Sequence, residues 1–184
     1  RFIESDDPQI KAKAQELAAG ESNPYLLARK FYDFIIDNTT YFKTGKGLAG
    51  AKALLSSGKG ECGDYSSLFI ALSRASGIPA RAVVGYWANS GIDQTHVWAE
   101  FYLEGMGWVP VDATIGQSET DKQDYYFGNM DNRRVILNRG INLKLEPAAP
   151  NNYVAPFLQV PLYWYWGNGN SDQVKMVRSE WYVM

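Results

Sequence analysis

The spacing of apolar residues changes at Gly77 and Pro79, and this change most restricts how the chain can fold. Before it, apolar residues recur about every 3.6 positions, as they do along one face of a helix. After it, residues 81–87 are rich in β-branched and aromatic side chains, and residues 96–103 alternate with the period of a strand. Gly77 suits the end of a helix, and Pro79 prevents its continuation. The sequence therefore predicts helices first and strands afterwards.

Two amphipathic helices are predicted in the first forty residues. Asp7 before Pro8, and Asn23 before Pro24, each supply an N-cap followed by a proline at the first helical position. Apolar residues recur at helical spacing after both, and the second helix is predicted to end near Asn38.

A glycine-rich connection over residues 58–64 leads into a further helix. A short helix over residues 51–56 is predicted to stop at Gly58, and the segment that follows reads Gly-Lys-Gly-Glu-Cys-Gly-Asp. This arrangement places Cys62 at the start of the next helix. Its buried face is predicted to contain Tyr65, Leu68, Phe69 and Leu72.

The alternating strand and residues 108–113 are predicted to pair as an antiparallel hairpin across a glycine-containing turn. Side chains opposite each other in such a hairpin share a face, so His96 and Asp112 face the same way only if paired residue numbers have an even sum. Pairing Leu103 with Trp108 gives an odd sum and would separate them. The register therefore decides whether these two side chains can meet.

Three turn geometries give the even register. A three-residue loop, a five-residue loop, or a bulge that uses Gly105 or Gly107 would each do so, for example with His96 directly opposite Asp112. We expect one of these, because the glycines tolerate the left-handed backbone that such turns need.

The last third of the chain has weaker signals. Further strands are predicted at residues 135–145 and 174–182. The aromatic, proline-spaced stretch between them, residues 153–166, is expected either to cap a cleft or to extend the core.

Composition and charge exclude several classes of protein. The 184 residues, with 46% hydrophobic and 21% charged, fit one compact globular domain over residues 1–184. A net charge of −2 argues against a nucleic-acid binder, which normally presents a basic stripe. We expect no membrane segment, because no run of 18 or more apolar residues occurs.

Other properties stay open at this stage. The chain begins with Arg1 and has no signal-peptide pattern, so we expect a processed or excised segment of a longer protein. Localisation and oligomeric state are not predicted. The single cysteine excludes an internal disulfide and a cysteine-rich zinc site.

Cys62 is either a small buried side chain or a nucleophile. Lone cysteines are usually buried, but a core cysteine does not need Gly-Glu before it and Gly-Asp after it. A free thiol is mostly protonated at neutral pH, so a nucleophilic one needs neighbours that stabilise its thiolate. A helix N-terminus can do so, and Gly60 and Gly63 are expected to let substrate approach. We therefore favour the nucleophile.

His96 is the single histidine, so a base of near-neutral pKa has no other candidate. An exposed or hydrogen-bonded strand histidine is the alternative. On the same face of the hairpin, Asp112 would accept a hydrogen bond from one ring nitrogen and leave the other facing the sulfur. Asp112 as a simple turn residue also stays open.

Four segments together resemble the transglutaminase-like superfamily. In chain order they are residues 60–69, 77–86, 95–100 and 107–114, which read Gly-Glu-Cys-Gly-Asp-Tyr-Ser-Ser-Leu-Phe, Gly-Ile-Pro-Ala-Arg-Ala-Val-Val-Gly-Tyr, Thr-His-Val-Trp-Ala-Glu and Gly-Trp-Val-Pro-Val-Asp-Ala-Thr. Four motifs in this order are specific. The resemblance covers about residues 25–130, and residues 131–184 form a C-terminal extension outside it.

The resemblance implies a papain-like α+β core, in which the helix carrying the nucleophile packs on an antiparallel sheet that carries the other two residues. Carried over by motif, Cys62 is the nucleophile, His96 the base and acid, and Asp112 the residue that orients His96. The second oxyanion donor in such enzymes is a side chain upstream of the nucleophile, for which Tyr41 is a candidate. Candidate aromatic walls of the cleft are Tyr86, Trp98 and Trp108, and a plain packing role on the sheet is the alternative for each.

The resemblance implies an enzyme that forms a thioester with a protein or peptide substrate and then releases it. We place hydrolysis first, as in a cysteine peptidase or amidase, and transfer of the acyl group to an amine, as in a transglutaminase, second. A non-catalytic binding module is the third possibility. No metal or cofactor is indicated, because the sequence contains neither paired Cys-x-x-Cys ligands nor a calcium-loop pattern.

Overall fold

The computed structural model of the chain describes residues 1–43, 45, 47–89, 92–159, 162 and 164. Helices dominate up to residue 75 and strands dominate from residue 80 onwards, as the change in apolar spacing predicts. The helices are α1 (Pro8–Ala18), α2 (Pro24–Asn38), α3 (Ala51–Ser57), α4 (Cys62–Ala75) and α5 (Ala113–Ser118).

The strands are β1 (Thr40–Tyr41), β2 (Lys59–Gly60), β3 (Ala80–Asn89), β4 (Ile92–Leu103), β5 (Gly107–Val111), β6 (Arg134–Arg139), β7 (Leu143–Lys144) and β8 (Val154–Ala155). Four of them form an antiparallel sheet with the strand order β5-β4-β3-β6. The others form two short pairs, a parallel one between β1 and β2 and an antiparallel one between β7 and β8.

The helix starts follow the predicted caps. The Asp7 side chain accepts a hydrogen bond from the backbone N–H of Gln9, and the Asn23 side chain accepts from Tyr25 and Leu26. Both satisfy N–H groups that a helix leaves without internal partners. The two caps confirm the first two helices.

Helix α4 lies at the centre of the molecule, between the other helices and the sheet. Every residue from 63 to 73 is buried, so the helix is covered on all sides rather than on the one predicted face. Two of its buried serines donate to carbonyl groups: Ser66 to those of Cys62 and Val97, and Ser73 to that of Phe69. The Ser66 contacts tie the start of α4 to strand β4.

The hairpin between β4 and β5 has the even register. Leu103 pairs with Gly107 and Ala99 pairs with Val111, so the strands are joined by a three-residue loop. Gly105 and Gly107 both have positive φ angles there, of 78° and 91°. The three-residue loop is therefore the turn that the chain uses.

Two predicted strands differ from the structure. Strand β5 ends at Val111, and Ala113 begins helix α5 because the Asp112 side chain accepts a hydrogen bond from the N–H of Ile115 and acts as an N-cap. The strand predicted over residues 135–145 is split into β6 and β7, with Gly140 in the left-handed region between them. The strand predicted over residues 174–182 lies outside the described residues.

The turn before Cys62 is held by the buried carboxylate of Asp64. Its Oδ1 accepts from the N–H groups of Ala49 and Gly50, at 2.8 and 2.7 Å, and its Oδ2 accepts from Glu61 at 3.0 Å. The Glu61 side chain in turn accepts from the third helical N–H, which completes a capping box. Asp64 thus fixes the position of the residue from which α4 begins.

We expect Asp64→Asn to lower the free energy of unfolding by about 1–3 kcal/mol. The new side-chain NH2 group would face a backbone N–H group that the carboxylate now accepts from, and the remaining backbone N–H groups would bond to a neutral oxygen instead of a charged one. Asp37→Asn, at an exposed position of α2, is the charge-matched control and should change stability by less than about 0.5 kcal/mol. Urea unfolding of both variants measures the difference. Equal stability of the two variants would contradict the role of Asp64.

Candidate active site

Cys62 is the first residue of helix α4 and is partly exposed. The first N–H groups of a helix have no partner inside it, and they give this end of the helix a partial positive charge. A thiolate or an oxyanion is favoured at such a position. The backbone of α4 therefore supplies part of the environment that a nucleophilic sulfur needs.

The glycines beside Cys62 have a packing role. A Cβ atom at Gly63 would lie 2.9 Å from side-chain atoms of both Leu48 and Phe157, and one at Gly60 would lie 2.9 Å from Asp64. The expectation that both glycines leave space for substrate is therefore wrong. They make room for the side chains that enclose the turn.

His96 lies on β4 and is buried, with 5% of its surface exposed. Its Nε2 lies 2.7 Å from Oδ2 of Asp112, which is 1% exposed. Since Nε2 is engaged by the carboxylate, Nδ1 is the ring nitrogen available to the sulfur of Cys62. The Cys62 side chain is a hydrogen-bond partner of the same imidazole, so the three side chains named from the sequence lie together.

The contact between His96 and Asp112 is diagonal. Because Ala99 pairs with Val111, the next residue of the chain, Asp112, falls beside Trp98 rather than His96. Residues two positions apart on one strand share a face, so the carboxylate still reaches the imidazole. The two residues are therefore not directly opposed. Direct opposition is one of the even registers expected from the sequence, and the chain uses a different even register.

Asp112 has two further partners that hold its carboxylate. Oδ1 accepts from the N–H of Ile115 at 3.1 Å, and Oδ2 accepts from Nη1 of Arg134 at 2.7 Å. The sequence motifs do not identify Arg134, which lies 22 residues further along the chain and on another strand. The one sequence signal is an arginine directly before a predicted strand, and many surface arginines share it.

The charges at the site stabilise one another. Burial disfavours the His96 cation and by itself would lower the pKa of the imidazole. The charge and hydrogen bond of Asp112, followed by those of Cys62, outweigh burial and raise the pKa of His96 to about 10. Burial also opposes ionisation of Asp112, yet the His96 cation, Arg134 and the Ile115 N–H lower the pKa of this carboxyl below its usual value. An imidazolium between a carboxylate and a sulfur is therefore the favoured state.

Tyr41 lies next to the turn that carries Cys62. Strand β1 pairs in parallel with β2 so that Tyr41 is matched with Gly60, and its ring centroid is 6.4 Å from that of Tyr65. Burial, and then negative charge at Cys62, raise the pKa of the Tyr41 phenol. The side chain is 45% exposed and protonated at neutral pH, so it can donate a hydrogen bond near the sulfur.

Tyr86 contacts the C-terminal extension. Its hydroxyl donates to the carbonyl group of Gln159 at 2.6 Å, and Nε2 of Gln159 donates to the carbonyl group of His96 at 3.0 Å. Phe157 packs beside Gly63. The described part of the stretch 153–166 therefore crosses between the strand of His96 and the helix of Cys62, while residues 160, 161, 163, 165 and 166 lie outside the description.

The two tryptophans differ in position. Trp98 is 2% exposed and stacks on His96, with ring centroids 6.1 Å apart, so it packs behind the triad. Trp108 is 39% exposed and lies under Arg81, whose Cζ is 3.8 Å from the ring centroid. It lies four residues before Asp112, about 13 Å along the strand. The structure does not bring Trp108 to the triad.

Two absences apply to the described residues only. No group of three or more His, Cys, Asp or Glu side chains is placed there to hold a metal ion. No helix in that part of the chain has the length and apolar content needed to cross a membrane.

Relatives of the chain share its fold. A structure of a proposed cysteine protease from Cytophaga hutchinsonii has a TM-score of 0.62 and 26% sequence identity, covering 76% of this chain and 44% of that one. The periplasmic domain of TgpA from Pseudomonas aeruginosa has a TM-score of 0.51 and 24% identity, covering 62% of this chain and 44% of that one. The second likeness concerns the fold alone.

Sequence comparison gives the family. An uncharacterised protein of Haemophilus influenzae is 29% identical over 197 residues, which cover 84% of this chain and 53% of that protein, so the chain spans about half of its length. The family model described as the transglutaminase-like superfamily matches residues 11–113, more than half of the chain, and includes Cys62, His96 and Asp112. The chain belongs to the transglutaminase-like superfamily.

Proposed function

We propose that this chain is a thiol-dependent amide hydrolase, a cysteine peptidase or amidase that acts on a protein or peptide. The observation that carries the proposal is the buried contact of 2.7 Å between His96 and Asp112, which leaves Nδ1 of the imidazole for Cys62, the one cysteine of the chain. Three reactive side chains from distant parts of the sequence meet at the N-terminus of a helix. A merely structural role does not require that convergence.

In the first step the Cys62 thiolate attacks the carbonyl carbon of the amide. A carbon–sulfur bond forms, and the electron pair of the carbonyl π bond moves to the oxygen. The N–H groups at the start of α4 are placed to stabilise this oxyanion. The oxyanion then re-forms the carbonyl π bond as the carbon–nitrogen bond breaks. His96, held as a cation by Asp112, donates its proton to the nitrogen, so the amine leaves and the thioester remains.

In the second step a water molecule resolves the thioester. Neutral His96 accepts a proton from the water as the oxygen attacks, and collapse of the intermediate expels the Cys62 thiolate and releases a carboxylic acid. His96 is then protonated again, so the starting ion pair is restored. An amine in place of water would give transfer instead, with the same three residues.

Hydrolysis comes before transfer in this proposal because one structural relative at 26% identity is described as a proposed cysteine protease. Transfer to an amine shares every step up to the thioester. It remains the second candidate, and a binding module without activity is the third.

Alkylation by iodoacetamide at pH 6 tests the ion pair. We expect Cys62 in the folded wild type to react at least roughly tenfold faster than the same cysteine in urea-unfolded protein, because the imidazolium and the helix N-terminus favour the thiolate. His96→Ala should remove most of this difference. Mass spectrometry follows a single adduct, since the chain has one cysteine. A folded protein that reacts no faster than the unfolded one would support the binding module.

Product masses distinguish hydrolysis from transfer. Incubation with a peptide library in the presence and absence of a primary amine should give free carboxylic acids, with a mass gain of one water for each amide bond cleaved. Cys62→Ala is the control and should give no products. Peptides that carry the added amine as the main product would overturn hydrolysis in favour of the second candidate.

Tyr41 is proposed as the second oxyanion donor. We expect Tyr41→Phe to lower kcat by roughly tenfold to a hundredfold with little change in KM, because the hydroxyl would act on charge that develops after binding. Tyr102→Phe is the control, because Tyr102 is similarly exposed and lies six residues from His96 on the same strand. Equal kcat values for the two variants would exclude Tyr41 from this role.

A further inference from the structure

A buried arginine stands behind the proposed triad. The Arg134 side chain is 4% exposed, and its Nη1 lies 2.7 Å from the Asp112 oxygen that also contacts His96. One carboxylate oxygen therefore has two charged donors. Since the other oxygen accepts from Ile115, the carboxylate is held from three directions.

Asp131 anchors the arginine. Its Oδ2 accepts from Nη2 of Arg134 at 2.9 Å and from Nε at 3.1 Å. Such two-pronged contacts fix the plane of a guanidinium group. The rings of Trp87, Trp98 and Tyr126 surround it, with centroids 5.6, 5.5 and 5.9 Å from Cζ. The guanidinium group therefore has little freedom to move.

The orientation of Asp112 depends on this arrangement. A carboxylate rotates readily about its terminal torsion, which has broad minima. The N–H of Ile115 holds Oδ1, but without Arg134 the partner of Oδ2 would be the imidazole, which can itself turn. Arg134 approaches the same oxygen from a fixed guanidinium plane, so it restricts where that oxygen can lie.

We propose that Arg134, held by Asp131, is a positioning residue of the triad: it fixes the Asp112 carboxylate so that His96 presents Nδ1 to Cys62. The inference rests on the proposed function, because it assigns a role within the same site. The alternative is a buried ion pair that only stabilises the fold, as many such pairs do.

Nuclear magnetic resonance of the imidazole distinguishes these roles without a substrate. His96 is the single histidine, so protein labelled with ¹⁵N-histidine gives signals from one ring. In the wild type we expect a downfield Nε2–H proton that exchanges slowly, as a short buried hydrogen bond requires. Arg134→Met and Asp131→Asn should broaden or remove that signal.

Alkylation of Cys62 at pH 6 provides the second measurement. The rate should fall roughly tenfold or more in Arg134→Met, since loss of a residue that orients a reactive group usually costs that much. Arg134→Lys, which supplies one point charge instead of a fork, should restore only part of the rate. Arg139→Met is the matched control: this arginine is on the same strand, contacts Glu100 at 3.6 Å and should leave both measurements unchanged.

The outcomes separate the two proposals. Folded variants of Arg134 and Asp131 with the wild-type histidine signal and alkylation rate would overturn the positioning role. A wild type whose cysteine is not accelerated would overturn the proposed function, while the histidine signal still decides what Arg134 does. If Arg134→Met does not fold, Arg134→Lys and Asp131→Asn decide the question on the same two measurements.

Discussion

The carboxylate of Asp112 is the point on which the site depends. It is almost fully buried, and isolated charges are costly there, so it stays ionised only because His96, Arg134 and the N–H of Ile115 all contact it. Each contact comes from a different element of the fold. Loss of any one would leave a buried charge with fewer partners.

Asp112 also joins two elements. It follows the last residue of β5 and acts as the N-cap of α5, so its side chain has a structural partner in Ile115 and a chemical one in His96. This double use explains why the strand ends where it does. The opposite wall of the site is built in a similar way, because Cys62 begins α4 at a turn that Asp64 holds.

Local signals in the sequence predict much of this fold, and long-range contacts account for the rest. Caps such as Asp7 and Asn23 act on adjacent residues, so the sequence suffices to place them. Two-residue alternation shows that His96 and Asp112 share a face only when paired residue numbers have an even sum. Which pairing forms depends on the turn that the chain adopts. Arg134 is on β6, and β3 and β4 lie between β6 and β5 in the sheet. Its contact with Asp112 therefore depends on the pairing of all four strands, which no spacing rule in the sequence predicts.

The most direct test of the central claim is to trap the thioester. The protein is mixed with a peptide library, quenched in acid and digested, and the mass of the fragment that contains Cys62 is measured by mass spectrometry. The account predicts acyl adducts on Cys62 that neutral hydroxylamine removes and that are missing in His96→Ala. Cleavage of the peptides at the full wild-type rate by Cys62→Ala would contradict it.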